Sequence, residues 1–156
     1  MTAEGAIVAL RAAVQRFKAW AERYPTKQDT GEWECDYEHW SEIESAFDAC
    51  LDAWSPQDWS DEIVELMLYV IARSNETERL INQLSTRPAQ LLALARAGLR
   101  ANDPEARWQL AHAVGKWISD AQQAEPLLER FFNDEDEYVS RRALIALGDR
   151  GSIRAE

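Results

Sequence analysis

Cysteine, histidine and carboxylates crowd the stretch from Tyr24 to Trp40, YPTKQDTGEWECDYEHW. Cys35 and His39 are four residues apart, a spacing that on a helix would place both on one face and supply half of a zinc site. The other half would have to come from Cys50, His112 or carboxylates, and the chain has no second paired motif. Cys50 falls on an apolar stripe, where cysteine behaves as a small buried hydrophobe. His112 stands between two alanines in a helical segment. The sequence therefore predicts neither metal nor cofactor. A Cys35 nucleophile would need a lowered thiol pKa from a cation or a helix N-terminus. Glu34, Asp36 and Glu38 surround it instead, and negative charge raises a thiol pKa. Carboxylate pairs are inevitable in so acidic a block, so they do not argue for a hydrolase. No Gly-rich phosphate loop and no serine motif is present. The expectation is a protein that is not an enzyme.

Charge is the stronger signal. The 156 residues carry a net charge of −11, which argues against a chain whose main task is holding phosphate backbones. From Gln28 to Ala72 there is no Lys or Arg, while thirteen carboxylates run from Asp29 to Glu65. The remainder holds all 17 basic residues and is nearly neutral. A single-sign block raises the local potential and steers cationic partners. No basic leader precedes an apolar run at the N-terminus, and no apolar run approaches the ~20 residues of a membrane span. Two cysteines make no disulfide framework, so reduced thiols and a cytoplasmic location are expected.

The elements that must position these residues read as helices throughout. Ile7, Leu10, Val14 and Phe17 recur at spacings of three and four and predict a first helix over 3–23. Pro25 and Gly31 punctuate a loop. A second helix is expected over 36–54, with Trp40, Ile43, Phe47, Cys50, Leu51 and Trp54 inside about 100° of arc. Glu38, Glu42, Ser45, Asp48 and Asp52 lie opposite that stripe. Ser60 is a candidate N-cap for DEIVELMLYVIAR, which is apolar over most of its circumference and so buried on more than one side. Asn75 is a candidate cap for ETERLINQLS. Pro88 opens a fifth helix, Asp103-Pro104 a sixth ending near Trp117, and a seventh covers 122–132. An eighth covers 136–148 and is expected to stop at Gly148. No period-two alternation suggests a strand.

The second half repeats. DPEARWQLAHAVG (103–115) aligns with DEYVSRRALIALG (136–148) at an offset of 33 residues. Asp103 matches Asp136, Ala106 matches Val139, Leu110 matches Ala143, Ala113 matches Ala146 and Gly115 matches Gly148. The same offset places Leu94, Ala95 and Leu99 on Leu127, Leu128 and Phe132. A helix pair recurring at that length is the signature of an α-solenoid, because one pair cannot bury its apolar face alone. NDEDEYVSRRALIALGD resembles the short bacterial form of a HEAT repeat, and NDPEARWQLAHAVGKW resembles a weaker copy. The resemblance covers about 75–150 and implies a binding scaffold. The expected fold is all-α, a right-handed solenoid of about eight helices. It forms one domain over 1–156, with an acidic, aromatic-rich cap region at 1–74 and HEAT-like repeats at 75–150.

Four of the seven tryptophans lie between Trp33 and Trp59, interleaved with carboxylates. Trp40 and Trp54 belong to the core stripe. Trp33 and Trp59 sit in or beside loops with Tyr37 near, and aromatic anchors among acidic residues suit an interface for a basic protein. The expected partner-binding residues are Trp33, Glu34, Asp36, Tyr37, Glu38 and Glu42, with Asp58 and Trp59 beside them. The partner expected is a basic protein, most concretely a nuclease-type bacterial toxin occluded by its immunity protein. Neither nucleic acid nor membrane is expected as a partner. Two other readings stand beside it. One is a scaffold subunit of another complex. The other is a nucleic-acid enzyme such as the HEAT-like alkylpurine DNA glycosylases, with Arg96, Arg100, Arg107, Arg141 and Arg142 along a groove.

Overall fold

Thr2 accepts a hydrogen bond from the Gly5 amide (2.9 Å) and starts helix α1, Ala3–Ala21. The structure, a computed structural model, describes residues 2–25 and 31–151. Residues 26–30, within the expected acidic loop, therefore lie outside the description. The chain divides into two compact units, Met1–Leu80 and Ile81–Glu156.

In the first unit α1 pairs with α2, Trp40–Ala53. The two run antiparallel, since Phe17 meets Trp40 at one end and the Trp54 indole donates to the Ala3 carbonyl (3.0 Å) at the other. A short 3-10 turn, Pro56–Asp58, leads to α3, Asp61–Arg73, whose cap Ser60 accepts from the Ile63 amide (3.2 Å). Leu10, Val14, Phe17, Ile43, Phe47, Cys50, Met67 and Ile71 are fully enclosed. Each such large apolar side chain contributes roughly 1.5–3 kcal/mol on burial. Helix α2 begins at Trp40, four residues later than expected. Residues 34–39 form turns instead, and the aromatic side chains of that segment are drawn inward onto α1.

The expected helix over ETERLINQLS shrinks to one turn, α4, Arg79–Asn82. Glu78 takes a left-handed φ of 55°, which L residues adopt only singly and which a helix cannot continue through. Asn75 therefore caps nothing, and the neighbouring amides are satisfied from elsewhere in the unit.

The second unit contains α5 (Pro88–Gly98), α6 (Pro104–Trp117), α7 (Ala121–Phe132) and α8 (Glu137–Asp149). Helices α5 and α7 begin 33 residues apart, and so do α6 and α8, at the offset read from the sequence. Asp103 and Asp136 both cap, accepting from the Glu105 and Val139 amides. The matched pairs Ala106 and Val139, Leu110 and Ala143, and Val114 and Leu147 are all fully buried. Helix α6 packs on α5 and α7 and most extensively on α8. Helix α8 does not stop at Gly148. It runs one residue further, and Gly151 takes the positive φ (+70°) that terminates the segment. Among the described residues there is no strand, and no helix is long and apolar enough to cross a membrane.

Candidate protein-binding surface

Phe17 is the hub of the first unit. Its ring centroid lies 5.6 Å from Trp33, 5.0 Å from Tyr37 and 5.4 Å from Trp40. Trp20 and Tyr69 complete the cluster. Trp33 and Tyr37 are each only 5% exposed. Edge-to-face contacts of this kind add about 0.5–1.5 kcal/mol per pair beyond area burial. These two residues, expected as interface anchors, are core residues. Burial also raises the Tyr37 phenol pKa, and its hydroxyl has no hydrogen-bond partner among the described residues.

Glu34 is likewise turned inward, with 3% of its side chain exposed. Its carboxylate accepts from the amides of Glu76 (2.7 Å) and Thr77 (3.0 Å) and from the Ser74 and Thr77 hydroxyls. It holds the turn that precedes α4 and cannot also face a partner. Cys35, off any helix, approaches the Glu76 carboxylate (3.8 Å), which raises its thiol pKa. His39 contacts Arg16 (2.9 Å), Glu38 and Glu42. The shared helical face proposed for Cys35 and His39 does not exist, because residues 34–39 are turns. Among the described residues no group of three or more His, Cys, Asp or Glu could hold a metal ion. Cys50 is buried, and burial pushes its thiol up to about 11.

The remaining expected residues stay outside the core but are not adjacent. Glu38 is 84% exposed at the start of α2, whereas Asp58 and Trp59 follow its end. A helix of fourteen residues separates the two groups by about 20 Å at 1.5 Å per residue. What joins them is the outer face of α2, where Glu42, Ser45 and Asp52 are exposed. Beside that face a cavity of about 440 Å³ opens between α1 and α2, floored by Ala13 and Ala46 and bounded by Ala9, Ala12, Arg16, Glu42 and Ser45. Glu42 accepts from Arg16 at 2.7 Å across its end. The sequence reading missed this cavity. Its signal was the run of alanines at 9, 12 and 13 facing Ala46.

Charge divides with the units. Residues 1–80 hold seven basic and seventeen acidic residues, a net of −10, and residues 81–156 a net of −1. Surface ion pairs include Arg11–Glu62 (2.6 Å), Arg16–Glu42 (2.7 Å) and Arg79–Glu44 (2.8 Å). The excess remains strongly negative.

Arg107, Arg141 and Arg142, expected along a groove, are each engaged by a neighbouring side chain. Arg107 is buried against Asp134 (2.8 Å), and each side chain is 9% exposed. Arg141 pairs with Glu137 on its own helix (2.6 Å). Arg142 lies over the Trp108 ring, 5.1 Å from its centroid, and the same ring meets Tyr138 at 5.4 Å. The Trp108 contacts tie α6 to α8, and an Asp caps each of these two helices at the same position of the 33-residue period. The sequence of this region, from residue 79 to 155, matches the family of HEAT repeats. Residues 79–155 are HEAT repeats. HEAT repeats serve in general as protein-binding scaffolds, so protein partners are the expectation for this unit too. No curated protein and no solved structure matches the chain. The acidic unit lies almost wholly outside the HEAT match.

Proposed function

We propose that this chain is a protein-binding module without catalytic activity, whose acidic first unit grips a basic protein. The observation that carries the reading is the segregation of charge: a net of −10 on residues 1–80 beside a nearly neutral HEAT unit. A field of one sign on one unit accelerates encounter with a cationic partner and orients it. The docking surface is the outer face of α2, with Glu38 and Glu42 at one end and Asp58 beyond the other. The α1–α2 cavity beside it is apolar at its floor and takes a side chain of the partner. Tyr37, packed on Trp40 at the start of α2, supports this surface from within.

The most concrete form is an immunity protein. The partner is then a nuclease-type bacterial toxin, and the carboxylates of α2 occupy the cationic surface on which the toxin holds phosphates. Inhibition is by occlusion and needs no chemistry from this chain. The test is co-purification of the tagged chain from its native cells, identification of the partner, and titration of the partner's nuclease activity. Loss of activity at one equivalent supports the reading. A bound basic protein without nuclease activity removes the immunity form and retains the docking surface. A bound acidic protein removes both.

A further inference from the structure

The loops joining α5 to α6 and α7 to α8 border a second cavity, open to solvent and of about 500 Å³, wholly within the HEAT unit. Its lining is polar and includes Arg100, Arg107, Arg130, Asp134 and Glu135. Arg107 forms the floor. It donates to both Asp134 oxygens (2.8 and 3.2 Å) and to the Ala101 carbonyl (2.6 Å). Asp134 also accepts from the Asp136 amide (2.8 Å), so its oxygens are committed to this network. The side chains of Arg100 and Arg130 have no hydrogen bond or ion pair among the described residues, although each residue is exposed in a chain with 28 carboxylates. The cavity thus presents two guanidiniums against the single carboxylate of Glu135, an excess of one positive charge in a unit of net −1.

We infer that this cavity is an oxyanion site, taking a carboxylate or a phosphate group between Arg100 and Arg130. A guanidinium presents planar paired donors that match either group, and it is weakly hydrated enough to give up water to a ligand. The Arg107–Asp134 pair fixes both loops from beneath, because Arg107 on α6 holds the Ala101 carbonyl of the α5–α6 loop and Asp134 of the α7–α8 loop at once. Arg100 and Arg130 come from different repeats, so the site exists only where two repeats stack. This inference does not rest on the acidic unit.

The experiment follows the side-chain Nε–Hε signals of the arginines by NMR. The full chain is titrated with inorganic phosphate, and separately with acetate, at fixed pH and ionic strength with chloride as the balancing anion. The expected result is a saturable shift of Arg100 and Arg130 in the low millimolar range, with exposed Arg96 on α5 unmoved. Arg100→Ala or Arg130→Ala should weaken binding at least tenfold while the Arg107 signal keeps its position, which shows that the floor is intact. Saturation by both anions assigns a general oxyanion site, and saturation by one alone assigns a phosphate or a carboxylate site. Non-saturating shifts shared with Arg96, or unchanged binding in both variants, overturn the inference.

Discussion

A Cβ placed on Gly115 would stand 2.4 Å from the Cβ of Ala146, across the contact between α6 and α8. A side chain at Gly115 would collide with Ala146, so the packing of α6 on α8 depends on its absence. Gly148 occupies the same position one repeat later and is exposed. Opposite outcomes follow for one substitution at two equivalent sites. Gly115→Ala should destabilise by about 1–3 kcal/mol through overpacking. Gly148→Ala should be neutral or stabilise by up to about 1 kcal/mol, through lower chain entropy in the unfolded state. Urea denaturation of both variants checks this, and equal losses at the two sites would refute the repeat packing.

The Arg107–Asp134 pair makes a second prediction. Both side chains are nine-tenths buried, so removing one partner leaves a charge enclosed. Asp134→Ala should cost about 3–5 kcal/mol. The double variant Arg107→Met/Asp134→Leu should recover much of that loss, because apolar side chains of similar size carry no desolvation penalty. A double variant as unstable as the single one would show that the pair does more than neutralise itself.

Glu34 tests how the turn before α4 is held. Glu34→Ala removes the acceptor for two backbone amides and should destabilise by about 1–2 kcal/mol, in the range of a lost helix cap. Hydrogen exchange at the Glu76 and Thr77 amides should speed selectively. Unchanged protection at both would remove the latch.

The thiols give a pH-dependent readout. Glu76 raises the Cys35 pKa, and burial raises that of Cys50 to about 11. Only the thiolate reacts. Alkylation of Cys35 by iodoacetamide should therefore rise with pH through a midpoint above the ordinary ~8.5 of a free thiol. Cys50 should be modified only on unfolding. Rapid alkylation of Cys35 at neutral pH would contradict the geometry.

How much was legible in the sequence depended on how far apart the interacting residues lie. The repeat was readable because each buried position, Ala106 or Leu110, has its counterpart at a constant offset and the periodicity is local to each helix. The α2 stripe was readable for the same reason. Trp33 and Tyr37 were not, because a loop aromatic is buried or exposed according to a contact with Phe17 that no periodicity encodes. Glu34 was read as one more surface acid, since its partners are backbone amides forty-two and forty-three residues away. The late start of α4 follows from the left-handed Glu78, which the helix-forming composition of ETERLINQLS gives no sign of. Arg130 went unnoticed because its companion at the second cavity, Arg100, lies in a different repeat at no regular spacing.

On the proposed function, the acidic unit carries the basic partner along the outer face of α2. The measurement that tests it most directly is the association rate of the purified partner with the wild-type chain and with Glu38→Lys/Glu42→Lys, at low and at high salt. Both residues are substantially exposed, so the variant should remain folded, with a cost of about 0.5 kcal/mol or less per site. Association should slow at least tenfold at low salt, and the gap should close at high salt as the charges are screened. Unchanged association in the charge-reversed chain, together with loss of binding on Arg100→Ala/Arg130→Ala, would contradict it and place the partner on the HEAT unit.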